Sequence, residues 1–263
     1  MKVFITGASS GIGEALAIEY AKRYENEDTT IGIVARRSEH LQNLQSKLQN
    51  IYKVKCAIYP LDVRDNVALA NAASDFMQQH GTPNIVIGCA GVSRGTLTEH
   101  AEDIAAFQAI MDINVMGLVH TFQPFIAAMR QAGQGQLVGV ASVAGIRGLP
   151  GAGAYSASKA AAISYLESLR VEMAQHNIAV TTIAPGYIRT PMTDVNQYKM
   201  PFLMDADVFA GKFANAVENK RRFCVIPWQM GWVARFMRLI PPFLWDFAMK
   251  KAPHKKRLDW DWL

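Results

Sequence analysis

The sequence of 263 residues predicts an α/β fold with a doubly wound parallel sheet of about seven strands, extended at its C-terminus by an amphipathic helical segment. Short apolar runs alternate with longer segments of helical periodicity, which is typical of strands joined by crossover helices. A glycine-rich turn follows the first of these runs. The composition, with 50% hydrophobic residues, 19% charged residues and a net charge of +5, excludes general disorder.

The predicted strands are short runs of aliphatic and β-branched residues. They are Lys2–Thr6, Thr30–Ala35, Val54–Tyr59, Asn84–Ile87, Gln136–Ala141, Ile178–Ile183 and Phe223–Ile226. Right-handed crossovers place such strands in one parallel sheet with helices on both faces. We therefore expect ligands to bind at the carboxyl edge of the sheet.

The predicted helices fill the intervals between the strands. They are Gly11–Tyr24, Ser38–Asn50, Arg64–His80, a stretch from about Glu99 to Gln131, Ala154–Gln175 and Asp205–Asn219. Ser38 is the expected N-cap of the second helix, and the turn at Gly81 and Pro83 is expected to end the third.

Cysteine usage and the start of the chain indicate a reducing compartment. The three cysteines, Cys56, Cys89 and Cys224, are widely spaced and form no C-x-x-C pair, so we expect no disulfide and no metal site. The strand at Lys2–Thr6 leaves no room for a signal peptide, and no uninterrupted apolar run reaches the roughly 20 residues of a membrane span. We expect a cytoplasmic protein.

The glycine-rich turn Thr6–Gly13 joins the first predicted strand to the first predicted helix. Its glycines allow the backbone to approach a pyrophosphate, and the helix N-terminus offers free N–H groups to it. We predict a nucleotide-binding turn, with a ligand-free turn as the alternative. The candidate contacts are Gly7, Ser9, Ser10, Gly11, Ile12 and Gly13.

The spacing of this turn, G-x-x-x-G-x-G, resembles the cofactor turn of the classical short-chain dehydrogenase/reductase (SDR) family, and the resemblance extends to about residue 226. It implies a Rossmann-type cofactor-binding and catalytic domain over residues 1–227, with residues 228–263 as its extension. It also implies an oxidoreductase that transfers a hydride between a nicotinamide and a carbonyl or secondary alcohol. A homodimer or homotetramer would form through the helices that begin near Glu99 and Ala154.

The end of the second strand selects the nucleotide. An NAD-dependent enzyme would offer an acidic side chain there to the ribose hydroxyls. This chain has Arg36 and Arg37, whose guanidinium groups suit a 2′-phosphate, so we expect NADP, with NADPH preferred over NADH. A solvated arginine pair is the alternative. The family often has a second basic residue where this chain has Ser10. Asp62 and Val63 resemble the pair that contacts adenine, although a turn or cap would also explain the aspartate.

Tyr155 and Lys159 lie four residues apart on a predicted helix and therefore face the same side of it. Reduction of a carbonyl requires a proton donor, and a nearby lysine cation lowers the pKa of a tyrosine from its usual value of about 10. Ser142 follows a strand at the carboxyl edge, where its hydroxyl can donate to the substrate oxygen. A cap or turn is the alternative for Ser142.

Asn114 completes the catalytic candidates. It lies inside a predicted helix, where asparagine is unfavourable, and a solvent-facing position is the alternative. The family has an asparagine, a serine and Tyr-x-x-x-Lys at these separations, and all four positions match. The resemblance implies that Tyr155 is the general acid/base and that Lys159 lowers its pKa and binds the nicotinamide ribose. It also implies that Ser142 polarises the substrate oxygen and that Asn114 holds a water in the proton relay.

Two further segments resemble cofactor contacts of the family. After the sixth strand the candidates are Pro185, Gly186, Ile188 and Thr190, which would contact the nicotinamide amide and the phosphates. After the fourth strand the family has Asn-Asn-Ala-Gly, where this chain has Gly-Cys-Ala-Gly. The contacts of Ala90 and Gly91 near the adenine ribose are expected to remain, whereas a side-chain hydrogen bond that steadies the sheet is expected to be lost.

The segments expected around the substrate are apolar. The predicted flap Thr190–Met204 is rich in methionine and aromatic residues, and Val143–Gly153 carries one charged residue, Arg147. This favours a small apolar carbonyl or alcohol over a sugar or a charged acid. The alternative is that these residues pack on the core or on a partner subunit.

The basic residues concentrate at the C-terminus. Residues 220–263 carry ten basic and three acidic side chains, a net charge of +7, whereas residues 1–219 carry −2. Because the basic excess is not on the folded body, we expect no nucleic-acid partner. Residues 231–257 combine aromatics with lysines, which is typical of peripheral membrane contact. A helical pair that covers the pocket or forms a subunit interface explains them equally well. A nucleotide-binding sensor without catalysis is the rival function, which loss of a catalytic candidate would have favoured.

Overall fold

The computed structural model describes residues 1–196, 198–255 and 257. They form one parallel sheet of seven strands in the order β3-β2-β1-β4-β5-β6-β7, which confirms the predicted doubly wound fold. The strands are β1 (Lys2–Thr6), β2 (Thr30–Ala35), β3 (Lys55–Pro60), β4 (Ile85–Gly88), β5 (Gly135–Val140), β6 (Ile178–Pro185) and β7 (Phe223–Ile226). The strand order reverses between β1 and β4, so a crevice opens there at the carboxyl edge.

The helices lie on both faces of the sheet. They are α1 (Gly11–Arg23), α2 (Ser38–Tyr52), α3 (Asn66–His80), α4 (Asp103–Met111), α5 (Gly117–Ala132), α6 (Gly153–Ala174), α7 (Pro191–Asp194), α8 (Ala206–Glu218), α9 (Trp228–Leu239) and α10 (Pro242–Met249). The expectation for Ser38 is wrong by one residue: α2 begins at Ser38, and Arg37 is its N-cap with no side-chain capping bond.

Alternation along β1 explains the two layers of the core. Val3 and Ile5 pack with the helices α1, α2 and α8 on one face, whereas Phe4 points to the other face. There its ring lies 5.4 Å from that of Phe76 in α3 and 4.8 Å from that of Phe125 in α5, between centroids. A strand buried on both faces is continuously apolar, as residues 3–5 of β1 are.

The helical stretch Asp103–Ala132 is interrupted, although the sequence predicts one helix. A π-helical turn, Asp112–Met116, joins α4 to α5. By length and mean hydropathy, 1.3, this stretch would suffice to cross a membrane. Its side chains Phe122, Phe125 and Met129 are fully buried against the sheet, so the stretch is a core helix of the α/β body.

The predicted helical extension consists of α9 and α10. Pro241 and Pro242 separate them, since Pro242 occupies the first helical position, which favours proline. Arg147 attaches the pair to the body: its Nη1 donates to the carbonyl oxygens of Met237 and Ile240, each at 2.6 Å. The Arg147 guanidinium also lies 4.5 Å from the ring centroid of Trp245. The loop after β5 is thereby bonded to the C-terminal helices.

Candidate active site

The glycine turn lies at the carboxyl edge, between β1 and α1. Gly7 has a φ of +76°, and a Cβ added there would lie 2.7 Å from backbone atoms of Ala90. Its N–H donates to the carbonyl of Val34 at 2.8 Å, which fixes the turn against β2. The first turn of α1 then points its free N–H groups into the crevice, where they can receive an anion.

Arg37 reaches back over the glycine turn. Its Nη2 donates to the hydroxyls of Ser9 and Ser10 at 2.9 and 3.0 Å. Ser10 occupies the position at which the family often has its second basic residue. Arg37 therefore brings a guanidinium to that position from β2, an arrangement that the sequence alone did not predict.

Arg36 and Asp62 face each other across the ends of β2 and β3, with Nη1 and Oδ2 separated by 3.8 Å. Arg64 holds the same carboxylate more closely, with its Nη2 2.8 Å from Oδ2. Burial alone would raise the pKa of Asp62, but the hydrogen bonds and charge of Arg64 outweigh it and lower that pKa. Arg64 was not predicted as a site residue, although its position two residues after Asp62, the aspartate of an Asx turn, was a usable signal.

Ser142 and Tyr155 meet where β5 ends. Ser142 is the N-cap of a short 3₁₀ turn, Val143–Gly145, and its Oγ accepts from the Ala144 N–H at 3.1 Å. The capping alternative is thus realised for Ser142. Burial raises the pKa of Tyr155, and its interaction with the Ser142 hydroxyl lowers it in part. A neutral phenol that can donate a proton is therefore the resting form.

Lys159 lies one turn along α6 and is buried. Its Nζ donates to the carbonyl of Val140 at 2.9 Å and lies 5.9 Å from the ring centroid of Tyr155. Burial lowers the pKa of Lys159 to about 8, and the neighbouring Cys89 acts weakly in the opposite direction. The amine thus sits near the middle of its titration at mildly alkaline pH, where it can accept and return a proton.

Asn114 is only 1% exposed, so the solvent-facing alternative is wrong. Its Oδ1 accepts from the Val92 N–H at 2.8 Å, while its Nδ2 donates to the Val92 carbonyl at 3.0 Å and to Ser158 Oγ at 2.9 Å. The π-helical turn aims this side chain at the loop after β4. Asn114 therefore joins three segments, and π-turns of this kind are frequent at functional sites.

The altered segment after β4 keeps a polar link to the sheet. The Ala90 N–H donates to Thr6 Oγ1 at 3.5 Å, and Thr121 Oγ1 lies 3.4 Å from the same oxygen. Thr6 and Thr121 are fully buried. Two threonines thus supply a polar contact in the place where the missing asparagine of the family would have bonded to the sheet.

One cleft of about 340 Å³ brings the candidates together. Every cofactor-binding candidate lines it, as does Ser142; Asn114 lies behind its wall. The lining residues that were not predicted as cofactor contacts are Ala35, Leu61, Cys89, Val92, Ile113, Val140, Ala141, Pro191, Met192 and Thr193. Most of them adjoin predicted residues in the chain. Within residues 1–196, 198–255 and 257, no cluster of His, Cys, Asp or Glu is arranged to hold a metal ion.

The expected substrate flap begins with the single-turn helix α7. Thr190 caps it, and the Thr190 N–H donates to Thr193 Oγ1 at 3.0 Å, which completes a capping box. Tyr198 packs edge-on against Tyr187, with 6.3 Å between ring centroids. Burial raises the pKa of Tyr198 to about 12, and Tyr187 and Tyr155 contribute to that shift. Gln197 of the predicted flap lies outside the described residues.

Comparison with known proteins agrees with this geometry. The profile of the family described as short chain dehydrogenase matches residues 1–200. An uncharacterised oxidoreductase of Myxococcus xanthus is 32% identical over 247 residues, which are 94% of this chain and 95% of that protein. The dehydrogenase/reductase SDR family member 7B of Bos taurus is 29% identical, over 97% of this chain and 82% of that protein.

Solved structures share the fold. A short-chain type dehydrogenase/reductase from Mycobacterium marinum superposes with a TM-score of 0.76 at 25% identity, covering 86% of this chain and 93% of that one. A short-chain dehydrogenase from Sphingobium yanoikuyae, solved with NADPH, gives 0.75 at 24% identity, covering 92% and 96%. With the family profile matching three quarters of its length, the chain belongs to the classical short-chain dehydrogenase/reductase family of oxidoreductases.

Proposed function

We propose that this oxidoreductase uses NADP(H) and transfers a hydride between the nicotinamide and a carbonyl or secondary alcohol of an apolar substrate. The observation that carries the proposal is the meeting of Ser142, Tyr155 and Lys159 at the carboxyl edge, beside a cleft lined by the glycine turn and Arg37. The cleft fits a dinucleotide, since its turn leaves no space for a Cβ at Gly7 and presents helix N–H groups to a phosphate.

The side chains of this site perform the proton chemistry. NADPH, when bound, supplies the hydride that reaches the carbonyl carbon. Tyr155 gives its phenolic proton to the carbonyl oxygen, and Ser142 donates a hydrogen bond to the same oxygen while negative charge develops on it. Lys159 stabilises the phenolate that remains. In the oxidation direction the same groups act in reverse, with Tyr155 as the base.

The preference for NADP rests on Arg36 and Arg37. Structural neighbours do not decide the matter, because the Sphingobium yanoikuyae enzyme was solved with NADPH and one from Mycobacterium paratuberculosis with NAD. Arg37 is held over the glycine turn by Ser9 and Ser10, so its charge is already in place for a 2′-phosphate.

Changing both arginines to glutamine is expected to weaken NADPH binding by about 10- to 100-fold, the scale of a charge-assisted hydrogen bond. NADH binding, which lacks the 2′-phosphate, should change less than twofold. Fluorescence titration with both nucleotides measures this. Equal losses for the two would contradict the assignment, since they would show that the arginines support the turn rather than the phosphate.

The apolar character of the substrate is supported by Met192 and Val92 on the cleft wall and by the half-buried pair Tyr187 and Tyr198. A relative named 11-beta-hydroxysteroid dehydrogenase from Pinus massoniana is 34% identical over 73% of this chain. A panel of apolar ketones and alcohols, with sugars as the comparison set, should be screened with NADPH and NADH at 340 nm. Turnover of sugars alone would overturn the apolar assignment.

We also propose a peripheral membrane contact through α9 and α10. Six of their apolar side chains are 63–84% exposed: Trp228, Trp232, Phe236, Leu239, Phe243 and Phe247. Arg235, Arg238 and Lys250 are exposed beside them. An apolar face with basic neighbours suits an anionic lipid surface. Among the basic residues near the C-terminus, Lys255 and Arg257 turn toward the body and do not belong to this surface, and Lys256 lies outside the described residues.

Replacing Arg235, Arg238 and Lys250 by glutamine is expected to weaken binding to anionic vesicles by about fivefold per residue, which is roughly 1 kcal/mol each. Binding to neutral vesicles should change little, because only the apolar face acts there. Co-sedimentation at low and high salt measures both. If the unmodified protein does not associate with anionic vesicles at low salt, the membrane contact is wrong, while the proposed oxidoreductase activity is unaffected.

The homodimer or homotetramer and the cytoplasmic location complete the proposal. The helices expected to form the subunit interface carry exposed apolar side chains, namely Ile104 and Phe107 on α4 and Val171 on α6. Burial of these side chains between subunits is the physical reason to expect association through them.

A further inference from the structure

The chain after α10 turns back toward the α/β body, where three of its residues make contacts. His254 packs on Gly151, where an added Cβ would lie 2.6 Å from the Cβ of His254. Lys255 Nζ donates to Ser93 Oγ at 2.8 Å. Arg257 Nε donates to Asp103 Oδ2 at 2.8 Å. These contacts involve the loop before α6, the loop after β4 and the start of α4, so His254 and Arg257 bind the body on either side of Lys255.

Asp103 provides a buried anchor for this segment. It is only 4% exposed, and its Oδ2 also accepts the Leu97 N–H at 2.8 Å. Burial would raise its pKa, but the hydrogen bonds from Arg257 and Leu97 outweigh that effect and keep the carboxyl ionised. Glu102 pairs with the same guanidinium at 2.9 Å. Because a buried carboxylate is stable only when it is paired, Asp103 holds the guanidinium of Arg257 in place.

Lys255 is thereby held beside the catalytic tyrosine. Its Nζ lies 6.0 Å from the ring centroid of Tyr155, while the Nζ of Lys159 lies 5.9 Å from the same centroid. Lys159 is bonded to a strand carbonyl and belongs to the proton chemistry. Lys255 comes from a different part of the chain and brings a second ammonium group to the reaction centre.

Within the part of the chain that the structure describes, Lys255 has a neutral partner rather than a carboxylate. Among the described residues it makes no ion pair, and its hydrogen-bond partner there is the neutral hydroxyl of Ser93. Burial lowers the pKa of Lys255 to about 8, which expresses the cost of removing its charge from water. A bound anion would offset that cost, because a desolvated ammonium interacts strongly with a carboxylate.

We propose that Lys255 binds a carboxylate of the substrate and thereby selects an oxo acid, or the corresponding hydroxy acid, with an apolar body. This inference rests on the proposed carbonyl reduction and adds an ionic contact that the apolar lining does not predict. The carboxylate would lie a few bonds from the reacting carbonyl carbon, because the Lys255 Nζ lies 6.0 Å from the ring centroid of Tyr155. Ser93 would hold the ammonium in place.

The test compares straight-chain oxo acids with their methyl esters, which differ only in the charge that Lys255 would bind. Lys255→Met is expected to lower the ratio of kcat/KM for acid over ester by about 10- to 100-fold. Lys255→Arg should restore most of the ratio, because it keeps the charge. Lys251→Met, an exposed lysine on the same segment, is the matched control and should leave the ratio as it is. Arg257→Met should lower the ratio by unseating the segment.

A binding measurement separates this inference from the proposed function. Calorimetric titration of octanoate into the protein saturated with NADP⁺ needs no turnover, and Lys255→Met should weaken it by the same factor. If acids and esters are both reduced and Lys255→Met leaves their ratio unchanged, the carboxylate site is wrong and the carbonyl reduction stands. If no ketone is reduced but octanoate binding depends on Lys255, the site stands and the proposed reaction fails.

Discussion

Replacing Tyr155 by phenylalanine is expected to lower kcat for carbonyl reduction by about 10²- to 10⁴-fold, the range for loss of a general acid. The ring remains in its buried position, so NADPH binding should persist. Ser142 and Lys159 stay in place, but neither replaces the Tyr155 phenol as the group that gives its proton to the carbonyl oxygen. Single-turnover measurement of NADPH oxidation isolates this step from product release.

Tyr165→Phe is the matched control for this experiment. Tyr165 lies on the same helix, α6, and packs against the core on the far side of the sheet from the glycine turn. The kcat of Tyr165→Phe should stay within twofold of the kcat of the unmodified protein. A Tyr155→Phe variant with near-normal turnover and normal NADPH binding would show that another group supplies the proton.

Replacing Lys159 by methionine is expected to abolish most activity and yet stabilise the protein without nucleotide. The pKa of this lysine falls from 10.5 to about 8 on burial, a cost of about 3 kcal/mol. Loss of the hydrogen bond to the Val140 carbonyl offsets about 1–2 kcal/mol of that gain. The free energy of unfolding at pH 7 should therefore rise by about 1–2 kcal/mol, as urea denaturation would measure.

The pH dependence of that difference has a definite sign. The folded protein loses the Lys159 proton near pH 8 and the unfolded chain near pH 10.5, so the unfolded state binds more protons between these values. The free-energy cost of burying the charged Lys159 is complete below pH 8 and fades as pH rises to about 10.5. The gain in unfolding free energy of Lys159→Met should fade with it. Lys22→Met, which removes an exposed lysine of α1, is the matched control. An advantage independent of pH would contradict the explanation.

The sequence predicts the sheet well because each strand contains a short apolar run bounded by a turn, and the glycine turn identifies β1 independently. Tyr155 and Lys159 could be paired because helical spacing alone puts them on one side. The contacts of Asn114 could not be predicted, since its burial depends on a π-helical turn with no signal in residue pattern. The position of Lys255 could not be predicted for a different reason. More than 100 residues of chain separate Lys255 from Ser93, and Arg257 from Asp103, and no sequence pattern links them.

The attachment of Arg147 to the carbonyls of Met237 and Ile240 bears on how the protein is made. All seven strands are complete once the chain has been synthesised to Ile226, and domains fold as they emerge. The loop between Ser142 and Tyr155, however, contains Arg147, and the two carbonyl groups that accept from its guanidinium belong to residues that are made later. A ribosome-bound chain that stops at β7 can therefore hold the sheet without the finished catalytic loop, so the order of synthesis leaves assembly of the reaction centre until last.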